Sequence, residues 1–239
     1  MRVLSFVARR PWRWVLVLLV PLVLFPRIDL AFSALFFDEV HRGFPFRSHP
    51  VGEFVRKTLP LILFALAGGV ALLGVAAGVS RRRLAGVTPR IAVFVVASLA
   101  LGPGLVVNAV LKDHWGRARP STIAEFAGPN QAEILRYTPP LLPAGQCSDN
   151  CSFPSGHAAL GFWLVTFALL APPRWRRWSL AAALGVGAAV GLSRIAQGAH
   201  FLSDVAFSAA IVIGVARLLQ GLIVAPEVKA SRDSERNPG

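Results

Sequence analysis

Residues 193–204 carry three side chains that together can do chemistry: Arg194, His200 and Asp204. His200 and Asp204 are four residues apart, so helical structure from Phe201 onward would place them one turn apart on the same face. A carboxylate at that distance can hold an imidazole nitrogen, which is an activated-histidine arrangement. The competing interpretation is a polar helix start, in which the polar residues cap the backbone and the histidine is merely interfacial. This stretch alone does not separate the two.

A second polar motif, Pro154-Ser155-Gly156-His157, opens an apolar run. The N-terminus of a helix with small residues exposes backbone N–H groups and the positive end of the helix dipole, which favours an anion. Serine and glycine before a helix are also common capping residues, so this motif by itself is a weak signal.

The third motif begins at Lys112, where another apolar run ends, and continues to Arg119 and Pro120. An isolated basic run at a membrane edge often consists only of solvated side chains. Taken jointly, the three motifs supply cations, neutral donors and two histidines. Phosphoryl transfer needs these parts, because the phosphoryl oxygens must be neutralised, a nucleophile must attack and an acid must protonate the leaving oxygen.

The composition indicates a membrane protein. Of the 239 residues, 54% are hydrophobic and 15% are charged, whereas a soluble domain has about 25% charged residues; the mean hydropathy is +0.58. The net charge of +13 comes largely from short arginine clusters between apolar runs, which is typical of cytoplasmic loops that face anionic lipid. Basic and aromatic residues are not interleaved on a polar domain, so we expect no nucleic acid partner.

Six apolar runs predict the elements that position the motifs. We expect an all-α integral membrane bundle of about six transmembrane helices in one domain, residues 1–239, since about 20 helical residues cross the hydrocarbon layer. The first run is the least certain, because Pro26 and Arg27 interrupt it; residues 29–57 are then expected to form an interfacial loop. The fifth run is short unless Trp175 and Trp178 belong to it. The runs are residues 14–25, 58–79, 91–111, 154–170, 180–192 and 201–224.

The arginine distribution predicts the orientation. Residues 1–13, 80–90 and 172–179 contain arginines and no acidic residue, whereas the intervening polar segments mix both signs. Both termini should therefore be cytoplasmic, including a flexible tail at 225–239. The long loop between the third and fourth spans, residues 112–153, then faces the periplasm, and all three motifs share this outer face.

The three motifs, Lys-x6-Arg-Pro, Pro-Ser-Gly-His and Ser-Arg-x5-His-x3-Asp, occur in this order between Lys112 and Asp204. They resemble the three signature motifs of the type 2 phosphatidic acid phosphatase family, which also contains bacterial acid phosphatases and vanadium haloperoxidases. Every signature position is matched, and the six-span layout agrees with the membrane branch of the family.

The resemblance implies a role for each matched residue. His200 would attack phosphorus to give a phosphohistidine, with Asp204 orienting its ring, and His157 would protonate the leaving lipid oxygen and later activate water. The phosphoryl oxygens would be bound by Lys112, Arg119, Ser155, the Gly156 backbone and Arg194. No cofactor and no metal is implied, which fits a sequence without a carboxylate cluster suited to magnesium.

Cys147 and Cys151 lie in the outer loop, where a disulfide is the expected state. A zinc site is the alternative, but Cys-x3-Cys without a second pair is poor ligand spacing. A disulfide would shorten the loop and fix the approach to His157. Trp115 and Tyr137 are expected to be interfacial anchors, while Asp113 and His114 match no family role and are treated as loop residues.

A site at the outer membrane surface favours a substrate whose phosphate lies at headgroup level. Family members of this layout act on phosphatidylglycerophosphate, phosphatidic acid, undecaprenyl pyrophosphate or the phosphates of lipid A, and the bilayer and one such lipid are the expected partners. A lipid phosphotransferase using the same phosphohistidine is the first alternative. A non-catalytic lipid-phosphate binder or transporter is disfavoured because binding needs no acid and nucleophile pair, and a haloperoxidase is disfavoured by the spans. The oligomeric state stays open.

Overall fold

The computed structural model of the protein describes residues 11–128 and 133–224, without the side chains of residues 11–14 and 113. Apart from residues 11–13, the two predicted cytoplasmic tails lie outside this range. The all-α prediction is confirmed: the described part contains helices and isolated bridges but no β-strand. The helices are α1 Pro11–Leu24, α2 Arg27–Ala34, α3 Pro50–Ser80, α4 Pro89–Lys112, α5 Gly156–Leu170, α6 Pro173–Ala196 and α7 Leu202–Val224.

Four helices, α3, α4, α6 and α7, are long and apolar enough to cross a membrane, so the membrane prediction is confirmed. The helices α1 and α2 meet at a bend of 93° and add a fifth span only if the bent pair crosses as one unit. The predicted fourth span is the shorter helix α5, which breaks at Leu164. The six-span count therefore stays a prediction.

Two segments predicted as loops belong to helices. α6 starts at Pro173, because proline is well suited to the first helical turn. The arginines predicted in a cytoplasmic loop thus lie on the first turns of α6, and the fifth span reaches its full length. Likewise α3 starts at Pro50 rather than near residue 58, with Glu53 paired to Arg56 and Lys57 one turn further along. The predicted interfacial loop 29–57 accordingly contains α2 and the start of α3.

The core surrounds α5, whose residues from Ala158 to Trp163 are almost all buried. α5 packs against α4, α6 and α7. Helix α6 can approach closely because Gly187 has no side chain: a Cβ there would overlap the ring of Phe162. This close packing puts the end of α4, the start of α5, the end of α6 and the start of α7 at the same end of the bundle. All three sequence motifs lie at these helix ends.

Candidate active site

His200 lies in the turn between α6 and α7 and is 1% exposed. Its Nδ1 is 2.7 Å from the carbonyl oxygen of Ser152. A carbonyl only accepts, so Nδ1 carries the proton and Nε2 is left with its lone pair. Burial lowers the pKa of His200 to about 3; the Asp204 carboxylate opposes this, and the charges of Arg194 and Lys112 add to it. The imidazole is therefore neutral at neutral pH, the state that a nucleophile requires.

Asp204 is close to His200 but makes no hydrogen bond to it, since its Oδ2 is 3.8 Å from Nδ1. His200 and Asp204 do not lie one turn apart on one helix face as predicted, because α7 begins at Leu202 and His200 is outside the helix. Instead Oδ2 accepts the backbone N–H of Phe201 at 2.7 Å and the hydroxyl of Ser152 at 2.5 Å. Asp204 thus caps α7, as the competing interpretation predicted, and also contacts Ser152, whose carbonyl orients His200.

The reasoning from sequence missed Arg117 and Asp29, which are both fully buried. Arg117 Nη1 donates to Asp204, and Nη2 donates to Asp29 Oδ2 at 2.8 Å. Burial acts to lower the pKa of Arg117, but the carboxylates of Asp204 and Asp29 outweigh it and raise the pKa. Asp29 Oδ1 also accepts the backbone N–H of Ser203 at 2.8 Å. A chain of paired charges therefore runs from α2 to the start of α7.

Tyr137 is partly buried and joins this network, and its role as an interfacial anchor stays a prediction. Its hydroxyl lies 2.7 Å from the carbonyl oxygen of Pro26 and 3.2 Å from Asp29 Oδ2, and burial raises its pKa. The prediction of an interfacial anchor was based on side-chain type, which does not reveal a partner more than 100 residues away. Trp115 is also held within the protein: its Nε1 donates to the carbonyl of Pro140 at 2.7 Å. His114, treated as a loop residue, is exposed.

His157 lies in the first turn of α5 and is partly buried, with its Nε2 3.0 Å from the carbonyl oxygen of Arg56 on α3. The residue before this helix, Ser155, is fully buried, and its Oγ accepts the N–H of Ala158 as an N-cap. Gly156 lets the start of α5 approach α4 closely: a Cβ there would lie 2.6 Å from Oδ1 of Asn108, whose side chain would have to move. The start of α5 is thus in close contact with α3 and α4.

Two of the predicted phosphate-binding residues, Arg119 and Arg194, line a cavity of about 240 Å³. Arg194 is 4% exposed, and its Nη1 donates to Oε1 of Gln197. Arg194 Nε and Gln197 Nε2 are buried and hydrogen-bond to no other described residue. Such buried donors suit the oxygens of an anion. Gln197 also lines the cavity, and the remaining lining residues are Arg47, Glu53, Arg56, Ser121 and Ala199. The cavity is therefore next to His200, although His157, His200 and Lys112 are not part of its lining.

Cys147 and Cys151 form a disulfide in the structure. Asn150, inside the loop that this disulfide closes, and Ser152, directly after it, each contact one site residue. The carbonyl oxygen of Asn150 accepts hydrogen bonds from Nε and Nη2 of Arg119 at 3.0 and 2.5 Å. The carbonyl oxygen of Ser152 accepts the hydrogen bond from Nδ1 of His200. The closed loop therefore orients Arg119 and His200 by direct contact, whereas the sequence had suggested an effect on His157. Within residues 11–128 and 133–224, no three His, Cys, Asp or Glu side chains are grouped as metal ligands.

Comparison with known proteins identifies similar sequences along most of the chain. Residues 91–224 match the model of the PAP2 superfamily. A lipid A 4'-phosphatase of Rhizobium leguminosarum is 36% identical over 81% of this chain and 86% of that protein. A lipid A 4'-phosphatase of Rhizobium etli is 32% identical over 81% of this chain and 78% of that protein. One of Francisella tularensis subsp. novicida is 45% identical, over 48% of this chain and only 50% of that protein. No solved structure matches significantly.

Proposed function

Because the chain belongs to the PAP2 superfamily and is a lipid phosphate phosphatase, we propose that it hydrolyses the 4'-phosphate monoester of lipid A. Among the lipids that the sequence analysis left open, this one is supported by the names of the relatives. We propose further that the reaction passes through a phosphohistidine on His200. The observation that carries this mechanism is the hydrogen bond from His200 Nδ1 to Ser152, which leaves a neutral imidazole with a free Nε2.

In the proposed reaction, Lys112, Arg119 and Arg194 neutralise the phosphoryl oxygens, and Ser155 and the Gly156 N–H add neutral donors. His200 Nε2 forms a bond to phosphorus while the bond from phosphorus to the lipid oxygen breaks. His157 donates the proton that this leaving oxygen takes up.

In the second step, His157 accepts a proton from water, whose oxygen attacks the phosphohistidine and releases inorganic phosphate. The N–P bond breaks, and its electron pair returns to Nε2. Asp204 acts as a positioning residue through Ser152 and as the carboxylate nearest the imidazolium that develops. No step as proposed involves a metal ion.

We also propose that both termini are cytoplasmic and that the site faces the periplasm. The basis is the distribution of arginine: the segments 80–90 and 172–179 carry no acidic residue. The lipid substrate would then be taken from the outer leaflet of the inner membrane, in which its phosphate lies at the level of the motif-bearing helix ends.

The test is phosphate release by purified protein in detergent micelles from lipid A, phosphatidic acid, phosphatidylglycerophosphate and undecaprenyl pyrophosphate. We expect lipid A to have the highest kcat/KM, turnover to persist in chelator and vanadate to inhibit. His200→Ala should abolish turnover but still bind lipid, and Lys57→Gln, on an exposed side chain of α3, serves as the control. Chelator-sensitive activity that added metal restores, or hydrolysis by His200→Ala close to that of wild type, would contradict the mechanism. Transfer of the phosphoryl group to an added lipid acceptor would identify a phosphotransferase.

A further inference from the structure

The cavity beside the phosphoryl site is lined by two arginines that belong to none of the three motifs. Arg47 comes from the short 3-10 turn before α3, and Arg56 from the first turns of α3. They face the same space as Arg119 and Arg194, and the only acidic lining residue is Glu53. The described lining thus carries four positive charges and one negative charge.

The charge of Arg56 is shared with Glu53, which also pairs with Lys57. The side chain of Arg47, by contrast, is exposed and forms no ion pair with any residue that the structure describes. It lies near enough to Arg119 that, after burial, its charge is the next cause of the lowered pKa of Arg119. Two arginines that line one cavity favour an anion that interacts with both.

Gln197, directly after α6, lines the same cavity as Arg47 and Arg56. Gln197 lies directly over Gly52 of α3, where a Cβ would overlap its Nε2. Its oxygen is engaged by Arg194, and its buried Nε2 has no partner in the described part of the chain. Gln197 is 4% exposed. The cavity is therefore a built site with a buried donor, and more than a patch of surface cations.

A single phosphoryl group does not account for all of these donors. A phosphate monoester carries about two negative charges and three terminal oxygens. The motif residues Lys112, Arg119 and Arg194 already supply three positive charges, and each guanidinium has five N–H donors. The positive charges and N–H donors of Arg47 and Arg56 are therefore more than one phosphate group requires. A second anionic group on the ligand would fit these two arginines.

We propose that Arg47 and Arg56, together with Gln197, form a second anion subsite that binds another negatively charged group on the headgroup of the same lipid substrate. The inference rests on the proposed function. The subsite would select headgroups with two phosphates over those with one, without taking part in the chemical step. The two arginines are specificity determinants supplied by the N-terminal region of the chain, and Gln197 is supplied by the end of α6.

The test compares a lipid A disaccharide that carries both phosphates with the same lipid carrying only the 4'-phosphate. In Arg47→Gln/Arg56→Gln, we expect kcat/KM for the bisphosphorylated lipid to fall about tenfold, the usual effect of losing a charge-assisted contact. For the monophosphorylated lipid it should change less than about twofold. Lys57→Gln is the matched control: it lies on the same helix and pairs with the same Glu53 but is outside the cavity. Inhibition by inorganic phosphate should be unchanged in both variants.

Equal losses of kcat/KM for the two lipids in the double variant, or no loss for either lipid, would overturn the proposal of a second subsite. Weaker phosphate inhibition in the double variant would assign the arginines to the phosphoryl site or to a free-phosphate site instead. Lipid binding to His200→Ala protein provides a readout that needs no turnover. There the double substitution should weaken binding of the bisphosphorylated lipid about tenfold more than that of the monophosphorylated lipid, and equal weakening would refute the proposal. Absence of wild-type hydrolysis would count against the proposed function alone.

Discussion

The N-terminal region, residues 11–80, and the region that follows it, residues 89–224, contribute to the site in different ways. The second region contains all three motifs and the whole PAP2 match, residues 91–224. The first region contains no motif, yet Asp29 ion-pairs with Arg117 and the carbonyl of Arg56 is in contact with His157. Its residues therefore touch the groups that orient the proposed catalytic residues.

The contrast suggests a division of roles. The second region would carry the chemistry, and the first would fix the position of that chemistry and recognise the rest of the headgroup. Asp29 and Asp204 lie on either side of one guanidinium, so the ion pairs link α2 to the residue that caps α7. Substitution of the proposed nucleophile in the second region should then abolish turnover, whereas substitutions in the first region, and in the contacts that join or orient the site, should change stability, selectivity or part of the rate.

The largest effect is expected at the proposed nucleophile. His200→Ala should lower kcat by about four orders of magnitude or more, since loss of the nucleophile in a coupled catalytic set costs about that much. Phosphate release from lipid A measures it, and the fold of the variant is checked by thermal unfolding in detergent. A loss of tenfold or less in a folded variant would remove His200 from the centre of the reaction.

The second prediction breaks the link between the two regions. Arg117→Met leaves Asp29 and Asp204 buried without their shared cation, which should cost about 3–5 kcal/mol of stability. Arg136→Met, which removes an exposed arginine of the segment between α4 and α5, is the control and should cost less than about 0.5 kcal/mol. Chemical unfolding of the two purified variants gives the comparison. Equal stability of both would mean that the buried ion pairs do not hold the two regions together.

The third prediction concerns the loop closed by Cys147 and Cys151. Cys147→Ser/Cys151→Ser should lower kcat/KM by about threefold to tenfold, because the carbonyls of Asn150 and Ser152 would no longer hold Arg119 and His200 as firmly. Treatment of wild-type protein with a reductant should reproduce the loss, and the same reductant should leave the double variant unchanged. Full activity of the double variant would show that the loop is positioned without the disulfide.

The smallest expected effect is a dependence of stability on pH. The folded-state pKa of His200 is about 3, below its unfolded value of about 6.5. Between about pH 3 and pH 6.5 the unfolded chain therefore binds a proton that the folded protein does not. The contribution of the neutral His200 to the free energy of unfolding is complete above about pH 6.5 and declines as the pH falls.

At pH 5.5 the loss should be roughly 1 kcal/mol relative to pH 7.5, equivalent to about 2–4 °C in Tm. His200→Gln should lack this part of the decline. Parallel Tm profiles for wild type and variant would indicate that the histidine is not held neutral in the folded protein.

The part of the site that sequence alone could predict is the part encoded locally. The spacing from Lys112 to Pro120, and from Ser193 to Asp204, can be read from the linear sequence because each motif is one short continuous segment at the ends of helices. Arg117 was visible only as a further basic residue within the first motif. Asp29 carries no local signal at all, because its partner is 88 residues away and a bent helix pair brings them together.

Helix boundaries show the same limit. The apolar runs identified α3 and α6, but hydropathy does not detect helix starts that are polar, such as Pro50 with its Glu53 pairs. The predicted pairing of His200 with Asp204 assumed helical geometry between them, whereas α7 begins at Leu202 and the preceding Phe201 is extended. The contact through Ser152 follows from that start and could not be read from spacing.

The central proposal is that His200 becomes phosphorylated during turnover, and a rapid-quench experiment tests it most directly. Wild type and His157→Ala are mixed with lipid A, quenched in alkali to preserve phosphohistidine, digested and analysed by mass spectrometry. We predict a phosphoryl group on His200 in wild type; in His157→Ala it should form more slowly, because the proposed acid is missing, and disappear more slowly, because the residue proposed to activate water is also missing. Turnover with no phosphorylated His200 in either protein, or a phosphoryl group on another residue, would contradict the account.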